Sequence, residues 1–408
     1  MIVNLKEQHC ENFLQSLHKE QWQEVRLGEV AEIISGGTPK TSIPEYWNGE
    51  IPWLTPKDLA GYNHIYISKG ERFITELGLK NSSATLMPKG TILLSSRAPI
   101  GYVAIAQNDI CTNQGFKSLV VEPKQACNLF VYYWIKNNVE YLQSLGTGTT
   151  FEEISKGVVQ DITIPLPPLT IQQKIAEILS SFDDKIDLLH RQNKTLESLA
   201  LTLFRHYFID NPNRNEWEEV SLNSLCEITS SKRIFYSEYV EYGIPFYRSK
   251  EIIEFSKGNN PQNELFIDEN KYNDIANKFG VPQANDILLT SVGTLGIPYL
   301  VPKDKKFYFK DGNLTWFKNF KNITSLFLFY WFKSPQGKEK LDSIAIGSTQ
   351  QALTIAALKA VNIHLPHTDI IRILNEQLNG IQNKIENNSK QIQNLQAMRD
   401  MLLKVIFA

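Results

Sequence analysis

The 408-residue chain contains only four cysteines, and their placement does not suit a metal ion. Cys10, Cys111, Cys127 and Cys226 lie far apart, with no C-x-x-C pair among them. No histidine cluster lies near them to complete a zinc site, whose ligands usually come at short, regular spacings. We therefore predict reduced thiols, most of them buried, and no bound metal.

Long apolar runs and a strong net charge are also missing. No stretch approaches the roughly twenty apolar residues that cross a bilayer, and the first twenty residues, of mixed charge, contain no signal-peptide core. The formal net charge is −2, so the whole chain exerts no strong attraction on a polyanion or an anionic membrane. These absences predict a soluble, cytoplasmic protein without membrane contact. Any nucleic-acid binding must then come from local basic patches or from partner chains.

Catalytic motifs are absent as well. The chain lacks the Asn/Asp-Pro-Pro-aromatic tetrapeptide of adenine methyltransferases and the Walker A motif of nucleotide-driven motors, and "GTGTT" (146–150) is not a dinucleotide-binding turn. Asp183, Asp184 and Lys185 resemble a nuclease cluster, but they fall within a predicted coiled coil. There, such a cluster is typical of a solvated helix face or a partner-docking surface. We predict a non-catalytic chain with no cofactor of its own.

What the chain does contain is an internal repeat. "WQEVRLGEVAEI" (22–33) matches "WEEVSLNSLCEI" (217–228) at a separation of 195 positions. "IPLP" (164–167) matches "IHLP" (363–366) at a separation of 199 positions. So small a drift over so long a unit indicates one fold made twice.

Each repeat is predicted to form a mixed α/β body followed by a long helix. The short apolar runs "GTILLSS", "GYVAIA" and "KSLVVE", bounded by Gly, Pro and Asn, predict strands. Residues 130–145 and 325–344 predict helices with aromatic side chains on one face. Such aromatic stripes are more typical of a core than of a platform on which bases stack.

The stretch "PLPPLTIQQKIAEIL" (165–179) predicts an abrupt change from strand to helix. Proline disfavours helix at the residue before it, so the prolines end the body in an extended segment. Thr170 with Gln173 then forms the capping-box pattern of a helix start. Beyond each start, apolar residues recur at three- and four-residue steps, as in a coiled-coil seam. The predicted seam, for helix pairing or partner docking, comprises Ile175, Ile178, Phe182, Ile186, Leu189 and Leu196 in the first helix and Leu374, Leu378, Ile381, Ile385, Ile392 and Leu395 in the second.

Each predicted long helix has about 35 to 40 residues, or about 55 Å at 1.5 Å per residue. An amphipathic helix of this length must bury its seam, and the other copy is the nearest partner. Because each body leads into the start of its helix, we predict an antiparallel coiled coil. The expected fold class is α+β, with two similar mixed bodies on a pseudo-two-fold dumbbell. Asn193 and Asn388 fall in the seams, where they either fix the register of pairing or lie at a solvated edge.

Five motifs carry a resemblance to a known family. They are "W..V.LGEV.EI..G.TP" (22–39), "YW.G.IPWLTPKDL" (46–59), "G.ILLS.RAPIG" (90–101), "TNQGF" (112–116) and, most specifically, "IPLPPL..QQKIAEILSSFDDKID" (164–187). In these motifs the chain resembles the specificity subunit of Type I restriction-modification systems. The resemblance covers nearly the whole chain.

The resemblance implies two target-recognition domains, each recognising one half of an asymmetric, bipartite site in double-stranded DNA. It also implies helical regions that dock two methyltransferase subunits, with motor-nuclease subunits added for restriction. S-adenosylmethionine, and ATP with Mg for restriction, are then expected on those partners. Together with the repeat, this predicts an N-terminal helical segment (1–20), target-recognition domain 1 (21–166), helix 1 with a linker (167–212), target-recognition domain 2 (213–366) and helix 2 (367–408).

Loop residues with donor or acceptor groups are the candidates for contact with DNA bases and phosphates. Gly36 and Gly37 suit a close backbone approach to DNA. Arg97 of the first repeat is replaced by Val292 in the second, which argues against the two loops contacting DNA in the same way. For each candidate the alternative is a solvated loop cation or a turn-capping amide. The candidates are Thr38, Lys40, Thr41, Ser42, Lys57, Arg97, Asn113, Gln114 and Thr149 in the first repeat and Lys232, Arg233, Arg248, Lys250, Asn313, Thr349 and Gln350 in the second.

Two alternative functions remain open. A coiled-coil scaffold would bind other proteins and show no affinity for DNA, with or without partners. A specificity subunit of a methylation-only complex would lack a restriction partner, and that difference lies in other genes. The specificity-subunit hypothesis predicts salt-sensitive binding to a bipartite site.

Overall fold

The computed structural model describes residues 17, 19–148, 152–258, 261, 263–348 and 350–408. The chain forms two compact units, Met1–Leu188 with Ile392–Ala408 and Leu189–Gln391. The domain boundaries implied by the resemblance stay a prediction. Of the predicted N-terminal helical segment, only Leu17 and the beginning of a 3-10 turn, Lys19–Gln21, lie within the described residues.

The first unit combines short strands with short helices and parts of both long helices. Its strands are β1 (Gln23–Arg26), β2 (Ala31–Ser35), β3 (Trp47–Leu54), β4 (Tyr66–Ile67), β5 (Arg72–Ile74), β6 (Ile92–Ser96), β7 (Ile100–Ala106), β8 (Cys111–Thr112), β9 (Lys117–Val121) and β10 (Thr163–Leu166). Its short helices are α1 (Leu27–Val30), α2 (Glu76–Lys80), α3 (Asn128–Asn137), α4 (Val139–Ser144) and α5 (Lys156–Asp161). The long helix α6 spans Leu169–Phe204 and continues into a π-helical turn, Arg205–Ile209.

The main sheet of the first unit has the strand order β2-β9-β6-β7-β4. Neighbouring strands are antiparallel except β4 and β7, which are parallel. A smaller sheet has the order β5-β3-β8, and β1 pairs with β10. The runs predicted as strands form β6, β7 and β9. The predicted aromatic helix forms α3 and α4, and Phe130, Tyr133 and Trp134 lie in the core, which confirms the core interpretation of the aromatic stripe.

The second unit contains the corresponding elements and part of both long helices. Its strands are β11 (Glu219–Ser221), β12 (Glu227–Thr229), β13 (Tyr239–Val240), β14 (Ile244–Tyr247), β15 (Leu265–Ile267), β16 (Ile287–Thr290), β17 (Pro298–Leu300), β18 (Tyr308–Phe309), β19 (Leu314–Lys318) and β20 (Asn362–His364). Its short helices are α7 (Leu222–Leu225), α8 (Ser249–Ser256), α9 (Glu269–Phe279), α10 (Ser325–Lys333), α11 (Pro335–Ile344) and α12 (Ile355–Lys359). The second long helix, α13, spans Thr368–Phe407.

The sheets of the second unit repeat much of the first, although β4 has no counterpart among the described residues and the smaller sheet has the four-stranded order β13-β15-β14-β18. The order β12-β19-β16-β17 corresponds to β2-β9-β6-β7, and the pair β11-β20 corresponds to β1-β10. In the smaller sheets, β3 and β14 each pair antiparallel with one neighbour and parallel with another. The prediction of one fold made twice is therefore confirmed at the level of strand order and direction.

The start of α6 differs from the sequence prediction. The backbone N–H groups of Ile171 and Gln172 donate to the carbonyl of Pro168 at 2.8 and 3.1 Å, so the helix begins at Leu169. Thr170 is exposed inside the first turn, and the predicted capping box is wrong. The Gln172 side chain instead donates to the Pro167 carbonyl at 2.8 Å, and its Oε1 accepts the Cys127 N–H at 2.8 Å.

The long helices have 36 and 40 residues, as predicted. In the first unit the N-terminal part of α6 packs with the C-terminal part of α13. In the second unit the C-terminal part of α6 packs with the N-terminal part of α13, so the two helices pair antiparallel. Leu179, Ala200 and Phe204 are also buried and were missed by the predicted seam. Of the predicted seam residues, Ile175, Ile186, Leu189, Leu374, Leu378, Ile381 and Ile392 are buried, whereas Ile178, Phe182, Leu196, Ile385 and Leu395 are half-buried. Within the described ranges, no helical segment meets both the length and the hydropathy of a membrane span.

The two seam asparagines contact each other. Asn388 is fully buried, and its Nδ2 donates to Oδ1 of Asn193 at 2.9 Å. Asn193 Nδ2 donates in turn to Oγ of Ser389 at 3.4 Å. Asn388 Oδ1 has no hydrogen-bond partner among the described residues, so the amide pair is only partly satisfied, but its Nδ2–Oδ1 bond between facing helices can form in one register only. The contact therefore supports the register interpretation of Asn193 and Asn388 over the solvated edge.

A buried ion pair joins α6 and α13 in the first unit. The guanidinium of Arg399 contacts a carboxylate oxygen of Asp183, whose other oxygen accepts the Tyr133 hydroxyl at 2.8 Å. Both charged side chains are about one-tenth exposed, at 12% and 9%. Burial, reinforced by the adjacent carboxylate, raises the pKa of Tyr133, which keeps the phenol protonated as a donor. The expectation of a solvated helix face is therefore wrong for Asp183, although Asp184 and Lys185 are exposed.

Replacing Asp183 with alanine should lower the free energy of unfolding by about 2 kcal/mol, because the buried Tyr133 hydroxyl would lose its acceptor and Arg399 would keep only the more exposed Asp400 as a counter-charge. Urea unfolding followed by circular dichroism measures the change. Asp184, exposed and adjacent in sequence, is the matched control, and Asp184→Ala should change stability by no more than about 0.5 kcal/mol. Equal stabilities of the two variants would contradict a role for the ion pair in holding α6 to α13.

Candidate nucleic-acid interface

Three loops meet at one edge of the main sheet in the first unit. Ser35, the last residue of β2, pairs with Lys117, the first residue of β9. Ser95, near the end of β6, bridges to Phe116. Because these strands are antiparallel, the segment after β2, the segment after β6 and the segment before β9 all lie at the same end of the strands. We call residues 36–42, 97–99 and 113–116 the edge loops of the first unit.

The edge loops of the first unit pack tightly on one another. The Gly37 N–H donates to the Thr112 carbonyl at 2.9 Å, and the Thr38 hydroxyl donates to the side-chain carbonyl of Gln114. A Cβ on Gly36 would lie 2.0 Å from the Asn113 carbonyl oxygen. The close backbone approach at Gly36 is therefore to the protein's own chain. This contact already accounts for the glycine without DNA.

The remaining candidates of the first unit divide into exposed and structural side chains. Lys40, Thr41 and Ser42 are exposed at the start of the loop region that leads to β3. Lys57 is exposed and lies 3.4 Å from Glu71. Asn113 closes its own turn, because its Oδ1 accepts the Gly115 N–H at 2.9 Å. Thr149 lies outside the described residues.

Arg97 belongs to a charged cluster that the sequence did not reveal. Its Nη1 lies 3.5 Å from one oxygen of Glu153, whose other oxygen accepts from Lys117 Nζ at 2.8 Å. Lys117 Nζ also lies 3.4 Å from Ser96 Oγ. The Lys117 hydrogen bond is the main cause that lowers the pKa of Glu153, which keeps the carboxylate charged. The only signal for Lys117 in the sequence is a cation at the start of an otherwise apolar strand.

The second unit presents its loops at the corresponding edge. Thr290, at the end of β16, pairs with Leu314, at the start of β19, and β12 ends beside them at Thr229. We call residues 230–235, 291–297 and 310–313 the edge loops of the second unit. The Asn313 carbonyl accepts the Ser291 N–H at 2.8 Å, which ties two of these loops together.

The cations of the second unit are placed in different ways. Arg233 Nε lies 3.0 Å from Asp311, and Lys232 Nζ lies 4.5 Å from the ring centre of Phe279. Arg248 is paired with the buried Glu251, whose carboxylate also accepts the Arg248 N–H at 2.7 Å. Arg248, whose side chain is 34% exposed, is therefore tied to the start of α8 by Glu251. Lys250 and Gln350 are exposed, and Thr349 lies outside the described residues.

Three aromatic side chains near Arg233 are unusually exposed and were not among the candidates. Phe235, Tyr236 and Tyr242 are 61%, 87% and 80% exposed. Aromatic groups that are left in solvent can stack on a ligand's rings. Their sequence signal, "RIFYSEYVEYG", looks like that of any aromatic strand segment, so exposure could not be predicted from it.

The three cysteines within the described residues are free thiols. Cys111 and Cys226 are buried and Cys127 is half-buried, all as free thiols, and Cys10 lies outside the described residues. Burial raises the pKa of Cys111 and Cys226 to about 12, so both stay protonated and unreactive. Within the described part of the chain, no group of three His, Cys, Asp or Glu residues is placed to hold a metal ion.

Comparison with known proteins identifies the family. A family model described as the Type I restriction modification DNA specificity domain matches residues 19–198 and 214–397, one copy on each repeat. The chain belongs to the Type I specificity-subunit family. This confirms the predicted family and the role of a specificity subunit, which is a recognition chain rather than an enzyme.

Two relatives are similar over nearly their full lengths. The Type I restriction enzyme MjaIX specificity subunit of Methanocaldococcus jannaschii is 35% identical over 95% of this chain and 93% of its own length. The MjaVIII specificity subunit of the same organism is 25% identical over 100% of this chain and 97% of its own. A Type I S subunit crystal structure from M. genitalium shares 18% identity with a TM-score of 0.57, covering 95% of this chain and 96% of that one. That likeness confirms the α+β fold class of this specificity subunit.

Replacing Gly36 with alanine should destabilise the specificity subunit by about 1 to 3 kcal/mol, because the new Cβ would collide with the Asn113 backbone. The matched control is Gly157→Ala in α5, where the nearest atom to a Cβ is 4.0 Å away and alanine favours helix. Thermal unfolding of both variants measures the difference. A Gly36→Ala variant as stable as Gly157→Ala would contradict the tight packing of the edge loops.

Proposed function

We propose that this specificity subunit recognises an asymmetric, bipartite site in double-stranded DNA, with one half-site contacted by the edge loops of each unit. The long helices dock two methyltransferase subunits, and motor-nuclease subunits join in a restricting complex. S-adenosylmethionine, and ATP with Mg, are bound by those partners. A cytoplasmic location is part of the same proposal.

The proposal rests on one observation: the two units share a scaffold of strands but differ in the side chains on their loops. Strand order and direction place the same three loops at the same sheet edge in both units. The side chains on these loops differ: Arg97 and Gln114 in the first unit, against Arg233 and the exposed Phe235 in the second. Recognition of two different short sequences requires a fixed scaffold that offers different donors, acceptors and apolar groups to base edges.

The placement of the side chains suggests a division of roles. Lys40, Lys57 and Lys250 are exposed, and the ion pair of Lys57 with Glu71 is a surface pair of little stability, so these cations are free to contact phosphates. Gln350 carries an amide that can donate to and accept from one base edge, and Gln114, whose Oε1 accepts from Thr38, keeps its amide N–H groups as donors. Arg248 and Asn113 act within the fold and are not expected to contact bases.

Co-expression of this chain with a cognate methyltransferase subunit should produce a new methylated-adenine motif in the host genome. We expect one bipartite motif with a fixed spacer, absent from cells without this chain, and detected by single-molecule sequencing. A soluble complex with the methyltransferase but no motif, together with no DNA affinity of that complex at low salt, would favour the scaffold alternative. Motor-nuclease co-expression then separates a restricting complex from a methylation-only complex.

Inserting one heptad into α6 and a matching heptad into α13, both beside the Asn193–Asn388 contact, should lengthen the spacer of that motif. Seven helical residues add about 10 Å, close to the length of three base pairs. Both half-sites should keep their bases, because the edge loops are untouched. A heptad in α6 alone is the control, since it moves Asn193 away from Asn388 and should lower the yield of folded protein. New bases within either half-site would contradict a spacer set by the helices.

A further inference from the structure

The charged cluster of Arg97, Glu153 and Lys117 has a structural counterpart in the second unit. Arg97 bridges to Glu153 as Val292 bridges to Ala352, and Glu153 and Ala352 also bridge to Thr147 and Ile346 respectively. Ile92 pairs with Leu119 as Ile287 pairs with Phe317, which places Thr315 at the position of Lys117. All three charged residues of the first unit are thus replaced by uncharged residues. They are lost together, as expected of side chains that act as one group.

In the first unit the cluster presents one arginine at the rim of the edge loops. Glu153 takes its short hydrogen bond from Lys117, at 2.8 Å, and contacts Arg97 only at 3.5 Å through one nitrogen. The Lys117 side chain is 9% exposed and that of Arg97 is 34% exposed. Most of the guanidinium donors of Arg97 therefore have no partner in the described part of the chain. Two cations and one carboxylate leave a net positive charge at this point.

In the second unit the position that corresponds to this cluster is uncharged, and its hydrogen-bonding groups are buried and paired. Ser291 and Thr315 hydrogen-bond to each other at 2.7 Å, and both are buried. Val292 and Ala352 are half-buried and carry no donor on their side chains. A ligand at this point of the second unit meets apolar surface. A ligand at the corresponding point of the first unit meets a positioned fork of N–H donors.

We propose that Arg97 recognises a guanine in the half-site of the first unit, that Glu153 and Lys117 position it, and that the second unit has no equivalent contact. This inference rests on the proposed function. Glu153, the half-buried partner of Arg97, is itself fixed by the buried Lys117, so the arginine loses less entropy on binding than a free one, and its two parallel donors match O6 and N7 of guanine. Phosphate contact needs no such support, because mobile exposed lysines supply it elsewhere on the same unit.

The test compares methylomes of the full complex with the natural chain and with Arg97→Lys. Lysine keeps the charge but loses the fork, so discrimination at one G·C pair of one half-site should fall about 10-fold or more, with every other position unchanged. Arg26→Lys, an exposed arginine outside the edge loops of the same unit, should change nothing. An unchanged motif with Arg97→Lys would overturn base recognition in favour of phosphate contact. Loss of discrimination spread over both half-sites would overturn it in favour of a folding defect.

Two further variants test positioning and assignment to the first unit. Glu153→Gln should weaken discrimination at the same base pair, and Glu153→Asp should restore part of it, whereas a purely structural role would lower yield without changing one position. Grafting the cluster onto the second unit, as Val292→Arg with Thr315→Lys and Ala352→Glu, should alter only the other half-site. A change in the same half-site as Arg97→Lys would overturn the assignment. If the natural chain gives no motif at all, the proposed function itself fails, which distinguishes the two results.

Discussion

The burial of two long apolar seams against each other is the constraint on which the rest of the structure depends. Helices of 36 and 40 residues that are apolar on one face do not persist alone in water. Here each seam is also covered by a body, with Phe130 in the first core and Phe327 and Trp331 in the second. Each core therefore contains part of a body and parts of both helices. Separating the helices would expose apolar surface in both units.

Polar contacts give this apolar pairing its register. A seam of Ile and Leu alone tolerates sliding by a turn, because apolar side chains accept many neighbours. Two polar contacts oppose such sliding: the ion pair of Asp183 with Arg399 and the amide contact of Asn193 with Asn388. A shift of one helix along the other would break both contacts and leave their buried polar groups unpaired. The two contacts differ in chemistry, one ionic and one neutral. The repeat is therefore asymmetric within its helices as well as in its loops.

The sequence predicts the features that depend on local periodicity. It does not predict the burial or pairing of a side chain whose partner lies far away in the chain. Strand runs, helix lengths and the repeat follow from short patterns. Asp183 and Arg399 are 216 positions apart, so no local pattern shows that the carboxylate is buried. Arg248 looked like a free cation, yet Glu251 holds it in the fold. Thr170 fits a capping pattern, but the helix already begins at Leu169, because the Pro168 carbonyl accepts the first helical N–H groups.

The first unit is discontinuous in the chain, since Met1–Leu188 is completed by Ile392–Ala408. Leu402, Leu403 and Ile406 belong to the same core as residues near the beginning of the chain. During synthesis, the ribosome must therefore produce the whole second unit before the first core can close. Until then the apolar surface of residues 1–188 that packs against 392–408 stays exposed to solvent. The part of the chain made first therefore completes its core last. A premature stop after the second unit would damage the first unit, whose own sequence is almost entirely intact.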